Sequence, residues 1–152
     1  MASMKILLVD DEERFLATTK ILLEKKDIDI FSASNFNDAM KILDKQKIDV
    51  VILDVKMPDH DGIEVLSTIK VEHPLVEVIM LTGHATVESA VDGLKMGAFD
   101  YLMKPCDISI LVEKANKAAI KKRVNEEKMR MTKVEDLISD PLSVLENKKK
   151  IN

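Results

Sequence analysis

The sequence lacks most of the features that mark secreted, fibrous and membrane proteins. It has a single cysteine, Cys106, so no intramolecular disulfide can form, and this composition suits a reducing compartment. Four glycines and four prolines are too few for a collagen-like or low-complexity chain. No apolar run approaches the ~20 residues that cross a bilayer. We therefore expect a cytoplasmic protein with no membrane insertion.

Basic charge is also scarce over most of the chain. Residues 121–152 hold nine Lys or Arg against six Asp or Glu, so this tail is at +3 and the net charge of -4 leaves residues 1–120 at -7. An acidic body offers no electrostatic footprint for nucleic acid, and we expect no direct nucleic-acid binding. Hydrophobic residues make up 46% of the sequence, which is enough for one folded domain with a short appendage.

Short apolar runs alternate with longer stretches of helical periodicity. Five runs have strand length, and they cover residues 5–9, 28–31, 48–53, 76–81 and 99–103. Asn35 is placed to cap the second helical stretch. Strands that are apolar throughout are buried on both faces, which indicates a parallel sheet covered by helices on each side. The pattern predicts an α/β domain with a doubly wound five-stranded parallel sheet flanked by five helices.

Polar side chains follow four of the five predicted strands. Asp10 and Asp11 follow the first, Asp54 the third, Thr82 the fourth and Lys104 the fifth. In doubly wound sheets the functional crevice lies outside the carboxyl ends of the strands, so we expect these groups to meet there. Two like charges ~4 Å apart repel by about 4 kcal/mol at an effective dielectric near 20, so the acids need positive charge beside them. A lysine supplies one charge, and Mg²⁺, which prefers oxygen ligands, would supply two more.

This set of groups predicts phosphoryl chemistry. A carboxylate can act as a nucleophile toward a phosphoryl group and form an aspartyl phosphate. The metal ion, the Lys104 ammonium and the Thr82 hydroxyl are three groups that could stabilise the phosphoryl oxygens. Each feature alone is weak, but their joint occurrence at the strand ends of one fold is specific.

Four segments resemble the receiver domains of bacterial two-component response regulators, over roughly residues 4–124. The segments are Ile6-Leu-Leu-Val-Asp-Asp-Glu12, Val51-Ile-Leu-Asp-Val-Lys-Met-Pro-Asp-His-Asp-Gly62, Ile79-Met-Leu-Thr-Gly-His84 and Gly97-Ala-Phe-Asp-Tyr-Leu-Met-Lys-Pro105. The resemblance implies the flavodoxin-like receiver fold. Residues 82–105 look most like receivers that precede enhancer-binding ATPase modules. Because only 28 residues follow Val124, we expect a stand-alone receiver.

The resemblance implies a role for each site residue. Asp54 would be the phosphoacceptor. Asp11 would be a direct Mg²⁺ ligand together with Asp54 and the backbone carbonyl of Lys56, and Asp10 would act on the metal mainly through water.

Further residues match the family's phosphate-contacting and switch positions. Lys104 would pair with the phosphoryl group, and Thr82 would reach it through its hydroxyl. Tyr101 matches the switch aromatic that turns inward when the threonine moves. The Lys104-Pro105 peptide bond resembles the family's cis bond, and Gly62 is expected to allow a backbone shape that other residues resist.

The expected function is a phospho-acceptor switch rather than an enzyme, with only slow self-catalysed phosphotransfer and dephosphorylation. Its partners would be a sensor histidine kinase or a histidine phosphotransfer protein, with a downstream protein or a homodimer as the output. Two alternatives stay open. A haloacid-dehalogenase-like phosphatase would need a second Asp two residues after Asp54, where this chain has Lys56. A constitutive scaffold would act through the C-terminal tail.

Residues 125–152 are expected to form a charged tail that is helical or partly disordered. The last helix should begin near Asp107 and run past Val124, because no Gly or Pro intervenes before Pro141. Asp140-Pro141 should interrupt it. An apolar seam recurs along this helix but is interrupted at Glu127, and its five members are Ile120, Val124, Met131, Val134 and Ile138. A solvated helix and a partner or dimer surface are both compatible with this seam.

Overall fold

The computed structural model describes residues 3–58, 60–83 and 86–139. The strands are β1 (Lys5–Val9), β2 (Asp29–Ala33), β3 (Val50–Leu53), β4 (Lys56–Met57), β5 (His60–Asp61), β6 (Glu77–Thr82) and β7 (Asp100–Met103). The helices are α1 (Glu13–Glu24), α2 (Phe36–Lys45), α3 (Gly62–Glu72), α4 (Val87–Lys95) and α5 (Ile108–Ser139).

Five strands form one parallel sheet in the order β2-β1-β3-β6-β7. The chain moves outward from β1 to β2 and then returns past β1 to β3, so the strand order reverses between β1 and β3. Such a switch point opens a crevice at the carboxyl ends of the two strands. The predicted doubly wound α/β fold is confirmed.

Alternate residues of each central strand pack into two separate cores. On one face, Leu7 and Val9 of β1 join a cluster that includes α2 and α3. On the other face, Ile6 and Leu8 join a cluster that includes α1 and α5. All four side chains are at most 1% exposed, which explains why the strand is apolar at every position from Ile6 to Val9.

The helix limits follow local signals in the sequence. Asn35 caps α2 as predicted, because its side-chain oxygen accepts a hydrogen bond from the backbone N–H of Asp38 at 2.8 Å. Helix α5 begins at Ile108, next to the predicted start, and continues well past Val124. The predicted interruption at Asp140-Pro141 lies outside the described residues. No helix in the described part of the chain is both long and apolar enough to span a membrane.

The segment after β3 corrects one expectation. β4 and β5 form a small antiparallel hairpin that the sequence pattern did not predict. Gly62 follows this hairpin, and it is close approach rather than an unusual backbone shape that requires glycine there. A Cβ atom on Gly62 would lie 2.5 Å from the Cα and the carbonyl oxygen of Val55, whereas the residue has no positive φ. The Gly62 N–H donates to that same carbonyl at 2.8 Å.

Candidate functional site

The backbone of the sheet carries the predicted polar residues to one edge. The N–H of Asp54 donates to Val9 O at 2.9 Å, and the N–H of Lys104 donates to Thr82 O at 2.8 Å. Asp10, Asp54 and Thr82 are buried, at 2%, 5% and 0% exposure. Asp54 and Lys104 therefore lie one residue beyond the ends of β3 and β7, and Thr82 is the last residue of β6. Backbone hydrogen bonds to the neighbouring strands hold them there.

One lysine lies among three carboxylates at this edge. Lys104 Nζ donates to Asp10 Oδ2 at 2.5 Å and lies 3.6 Å from Glu12 Oε1 and 3.8 Å from Asp54 Oδ2. It also lies 4.1 Å from the centroid of the Phe15 ring. The ammonium is therefore held between a carboxylate cluster and an aromatic face, which fixes its position relative to Asp54.

Burial and charge shift the pKa values of this pair. Burial raises the pKa of Asp10 and outweighs the hydrogen bonds from Lys104 and from the Glu12 N–H, and the nearby Asp54 charge raises it further. Burial alone would lower the pKa of Lys104, but the hydrogen bond to Asp10 and the charges of Asp10, Asp54 and Glu12 together raise it. Lys104 therefore remains an ammonium at neutral pH.

One carboxylate oxygen from each of Asp10, Glu12 and Asp54 lies within 4.8 Å of the other two. Sequence reasoning did not assign a role to Glu12, although it belongs to the same acidic run as Asp10. Its backbone N–H donates to Asp10 Oδ1 at 2.9 Å, which turns the acidic run back toward the site. Oxygen atoms at this separation suit a hard divalent cation.

Asp11 and Lys56 line a cleft beside this cluster, together with residues of the β4–β5 hairpin. The Asp11 side chain is exposed and is not one of the three clustered acids. The Lys56 N–H lies 3.3 Å from Asp54 Oδ1, and the Lys56 side chain is exposed. The structure thus places Asp11 at the rim and brings the Lys56 backbone next to Asp54.

Tyr101 is linked to the start of α4 through a serine that the sequence did not single out. The Tyr101 hydroxyl lies 2.9 Å from Ser89 Oγ. Ser89 also forms a reciprocal capping box with Thr86, in which each side chain accepts a hydrogen bond from the other's backbone N–H. The half-buried tyrosine therefore shares a hydrogen-bond network with the α4 N-terminus. His84 and Ala85, between Thr82 and this helix, lie outside the described residues.

The Lys104-Pro105 peptide bond is cis, as the resemblance implied.

Comparisons with known proteins agree with this geometry. The family model described as the response regulator receiver domain matches residues 6–116. The alginate biosynthesis transcriptional regulatory protein AlgB of Pseudomonas aeruginosa is 38% identical over 102 residues, which cover 67% of this chain and 23% of AlgB. The chain spans only 23 to 27% of the length of the first curated relatives it matches.

Solved receiver structures match over nearly their whole length. A response regulator receiver domain protein from Clostridium thermocellum is 38% identical with a TM-score of 0.75, covering 80% of this chain and 98% of that one. The receiver domain of NtrC4, solved as a beryllofluoride-activated dimer, is 32% identical with a TM-score of 0.73, covering 78% of this chain and 98% of its own.

Proposed function

Because the chain belongs to the response regulator receiver family, we propose that Asp54 accepts a phosphoryl group from the phospho-histidine of a sensor histidine kinase or a histidine phosphotransfer protein. Receiver domains are phospho-acceptor signalling domains rather than conventional enzymes. We therefore propose that its only catalysis is the slow phosphorylation and dephosphorylation of the domain itself.

The observation that carries the proposal is the position of Lys104 Nζ, 3.8 Å from Asp54 and bonded to Asp10. In the proposed step an Asp54 carboxylate oxygen bonds to phosphorus, the phosphorus–nitrogen bond of the donor breaks, and the departing imidazole takes up a proton. The acyl phosphate carries more negative charge than the carboxylate. Lys104 would offset that charge, and the Thr82 hydroxyl would donate to a phosphoryl oxygen.

The donors at this edge fit Mg²⁺, because they are carboxylate and carbonyl oxygens with an excess of negative charge. We propose Asp11, Asp54 and the Lys56 carbonyl as direct ligands, with Asp10 acting through water. Glu12 is a further oxygen donor within reach of the same position. When bound, the metal ion would supply positive charge against the phosphoryl oxygens.

The switch would pass from Thr82 through Tyr101 to the face formed by α4, β7 and α5. A phosphoryl group can bias this face only if it holds the Thr82 hydroxyl better in one state than in the other. Inward rotation of Tyr101 would break its 2.9 Å contact with Ser89 and so disturb the cap of α4. The α4 N-terminus is therefore the element that we expect to respond first.

Thr82→Ala and Ser89→Ala test this route. Both variants should still accept phosphate at Asp54, but the NMR shifts of α4 amides on phosphorylation should shrink in Thr82→Ala. In Ser89→Ala, α4 should already be perturbed before phosphorylation, because its capping box is lost. Identical α4 responses in wild type and both variants would rule out the route.

The acceptor assignment is tested with acetyl phosphate and Mg²⁺. We expect intact-protein mass spectrometry to show one added phosphoryl group in wild type and none in Asp54→Asn. Asp61→Asn is the matched control, because Asp61 lines the same cleft and caps α3, a role that Asn fills equally well. Equal phosphorylation of Asp54→Asn and wild type would refute the assignment.

We further propose residues 4–124 as the receiver domain and 125–152 as a separate tail, in a cytoplasmic protein that contacts neither nucleic acid nor the membrane interior directly. The output would be the binding of a downstream protein or of a second copy at the face formed by α4, β7 and α5. The dimeric state of the NtrC4 receiver supports self-association as one such output. A phosphatase is not favoured, because an exposed lysine stands at position 56 where its second acid is required.

A further inference from the structure

A histidine and two acids from two different helices meet at the carboxyl ends of α2 and α3. Asp44 lies in the last turn of α2, Glu72 is the last residue of α3, and His73 caps α3. One ligand atom from each of the three side chains lies within 4.8 Å of the other two. We call these three residues the His73 cluster.

The His73 cluster lies far from the proposed phosphoryl site. Helices α2 and α3 both run back toward the amino end of the sheet, because β3 begins at Val50 soon after α2 and β6 begins at Glu77 soon after α3. Asp54 follows β3 at the opposite end. The two groups of acids therefore cannot share one ion.

The fold holds the backbone of the His73 cluster in place from both helices. Leu43, next to Asp44, and Ile69, one turn before His73, are buried in the same core. The His73 N–H donates to Ile69 O at 2.7 Å, and the His73 carbonyl accepts from the Val76 N–H at 3.1 Å. Ligands on packed helices keep their geometry more precisely than ligands on loops.

The contact between His73 and Asp44 is close to the spacing of two metal ligands. His73 Nε2 lies 3.0 Å from Asp44 Oδ1. Two ligands at ~2.0–2.1 Å from a tetrahedral zinc ion lie about 3.3 Å apart, so these atoms need to separate by only roughly 0.3 Å. The ion takes the place of the proton between them, and this proton is released. The exposed Glu72 side chain can rotate to supply the third ligand.

The negative charge of the cluster has little compensation. Glu72 has no ion-pair partner within the described residues, and the only one that Asp44 has there is His73. Lys70, in the last turn of α3, is turned toward the carbonyls of Pro74 and Val76, at 3.0 Å each.

The helices add to this negative potential. Both acids lie at helix carboxyl ends, where the helix dipole disfavours an acid and favours a cation. A cation placed between Asp44 and Glu72 would therefore interact favourably with two carboxylates and two helix ends.

The types of ligand atom select the class of metal ion. An imidazole nitrogen with two carboxylate oxygens suits Zn²⁺ and its neighbours Co²⁺ and Ni²⁺. Mg²⁺ prefers oxygen ligands throughout, so it suits the carboxyl end of the sheet better than this cluster. Three protein ligands leave one position of a tetrahedral ion for water.

We propose that Asp44, Glu72 and His73 form a binding site for a divalent transition metal ion, for which Zn²⁺ is the probe. The bound ion joins α2 to α3 and stabilises the folded domain, because the unfolded chain does not bring the three ligands together. The site is independent of Mg²⁺ binding and of phosphorylation at Asp54.

The test follows imidazole and backbone amide NMR signals of the full chain during titration with Zn²⁺. The amides of Asp44 and Glu72 should shift in wild type and in His60→Gln, together with the His73 imidazole, and the amide shifts should be lost in His73→Gln. His60 is the matched control because it is an exposed histidine of the β4–β5 hairpin, outside the cluster. No shifts in wild type, or the same amide shifts in His73→Gln, would overturn the proposal.

The same titration measures what the exposed third ligand contributes. The affinity obtained from the Asp44 amide should fall by roughly tenfold or more in Glu72→Gln, since even the loss of a ligand's hydrogen-bond partner costs about that much. Glu64→Gln is the control, because it removes an exposed acid from the first turn of the same helix. Both side chains are on the surface, so the variants should fold as wild type does, which circular dichroism checks. Equal affinity of the two variants would contradict the three-ligand site.

Two further titrations separate the His73 cluster from the proposed phosphoryl site. Mg²⁺ should leave the Asp44 and Glu72 amides unshifted, because the imidazole is a poor ligand for it. Asp54→Asn should keep the full Zn²⁺ response of the cluster. An equal response to Mg²⁺ and Zn²⁺, or a Zn²⁺ response that disappears in Asp54→Asn, would refute an independent transition-metal site.

Discussion

The two ends of the parallel sheet both bury acids, but they balance the charge differently. At the carboxyl end, Asp10, Glu12 and Asp54 share the single ammonium of Lys104. All three acids are close enough for one cation to sit among them. This end keeps an excess of negative charge beside a buried carboxylate.

At the amino end, each buried acid has a lysine of its own. Asp49 accepts a hydrogen bond from the Lys5 N–H at 2.9 Å and one from Lys122 at 3.2 Å. Glu77 lies 3.8 Å from Lys70 and 3.7 Å from Lys121. Its Oε2 atom accepts no hydrogen bond within the described residues, so this end holds its acids by charge more than by hydrogen bonding.

The ion pairs at the amino end stabilise the fold, whereas those at the carboxyl end leave negative charge that a ligand can neutralise. The paired acids at the amino end fasten α5 to the sheet through Lys121 and Lys122. Incomplete neutralisation at the carboxyl end raises the free energy of the metal-free protein. A bound cation would lower this free energy, because it neutralises part of the excess negative charge.

The largest expected effect comes from removing the shared cation. Lys104→Met should lower the free energy of unfolding of the metal-free protein by about 3 kcal/mol, because it leaves buried Asp10 without its partner. Urea denaturation in the presence of a chelator measures this, and added Mg²⁺ should restore part of the loss. A variant as stable as wild type would show that the carboxyl end is not short of positive charge.

A smaller loss is expected from the amino end. Lys122→Met should lower the free energy of unfolding by about 1 to 2 kcal/mol, since Asp49 keeps its hydrogen bond from the Lys5 N–H. Added Mg²⁺ should not restore it. The control is Lys117→Met, which removes an exposed pair with Glu113 and should change stability by less than about 0.5 kcal/mol. Mg²⁺ rescue of Lys122→Met would erase the distinction between the two ends.

The smallest effect on stability is expected for Asp11→Ala, because Asp11 is exposed and outside the three-acid cluster. The metal-free variant should unfold within about 0.5 kcal/mol of wild type, as is usual for surface substitutions. Its Mg²⁺ affinity, measured by calorimetric titration, should nevertheless fall. An unchanged affinity would remove Asp11 from the ligand set and favour Glu12 in its place.

The fold and the strand-end residues could be predicted because both depend on local patterns. Apolar runs such as Lys5–Val9 indicate buried strands, and the carboxyl ends of parallel strands converge whatever the loop details. Asn35 was predictable for the same reason, since a cap acts within one turn.

Contacts between distant elements could not be predicted. Whether Glu12 or Asp11 turns toward Asp54 depends on the backbone after β1, and both are acids in the same run. Ser89 meets Tyr101 only because α4 packs over β7, and Lys122 meets Asp49 across 73 positions of sequence. Such contacts leave no periodic signal, so the pairing at the amino end was missed.

The most direct test of this account is a Mg²⁺ titration of the full chain followed by backbone amide NMR. We predict shifts at the amides of Asp10, Asp54 and Lys56, none at Asp49 and Glu77, and loss of the shifts in Asp54→Asn. Shifts at both ends of the sheet, or unchanged shifts in Asp54→Asn, would contradict the claim that the unbalanced carboxyl end is the cation and phosphoryl site.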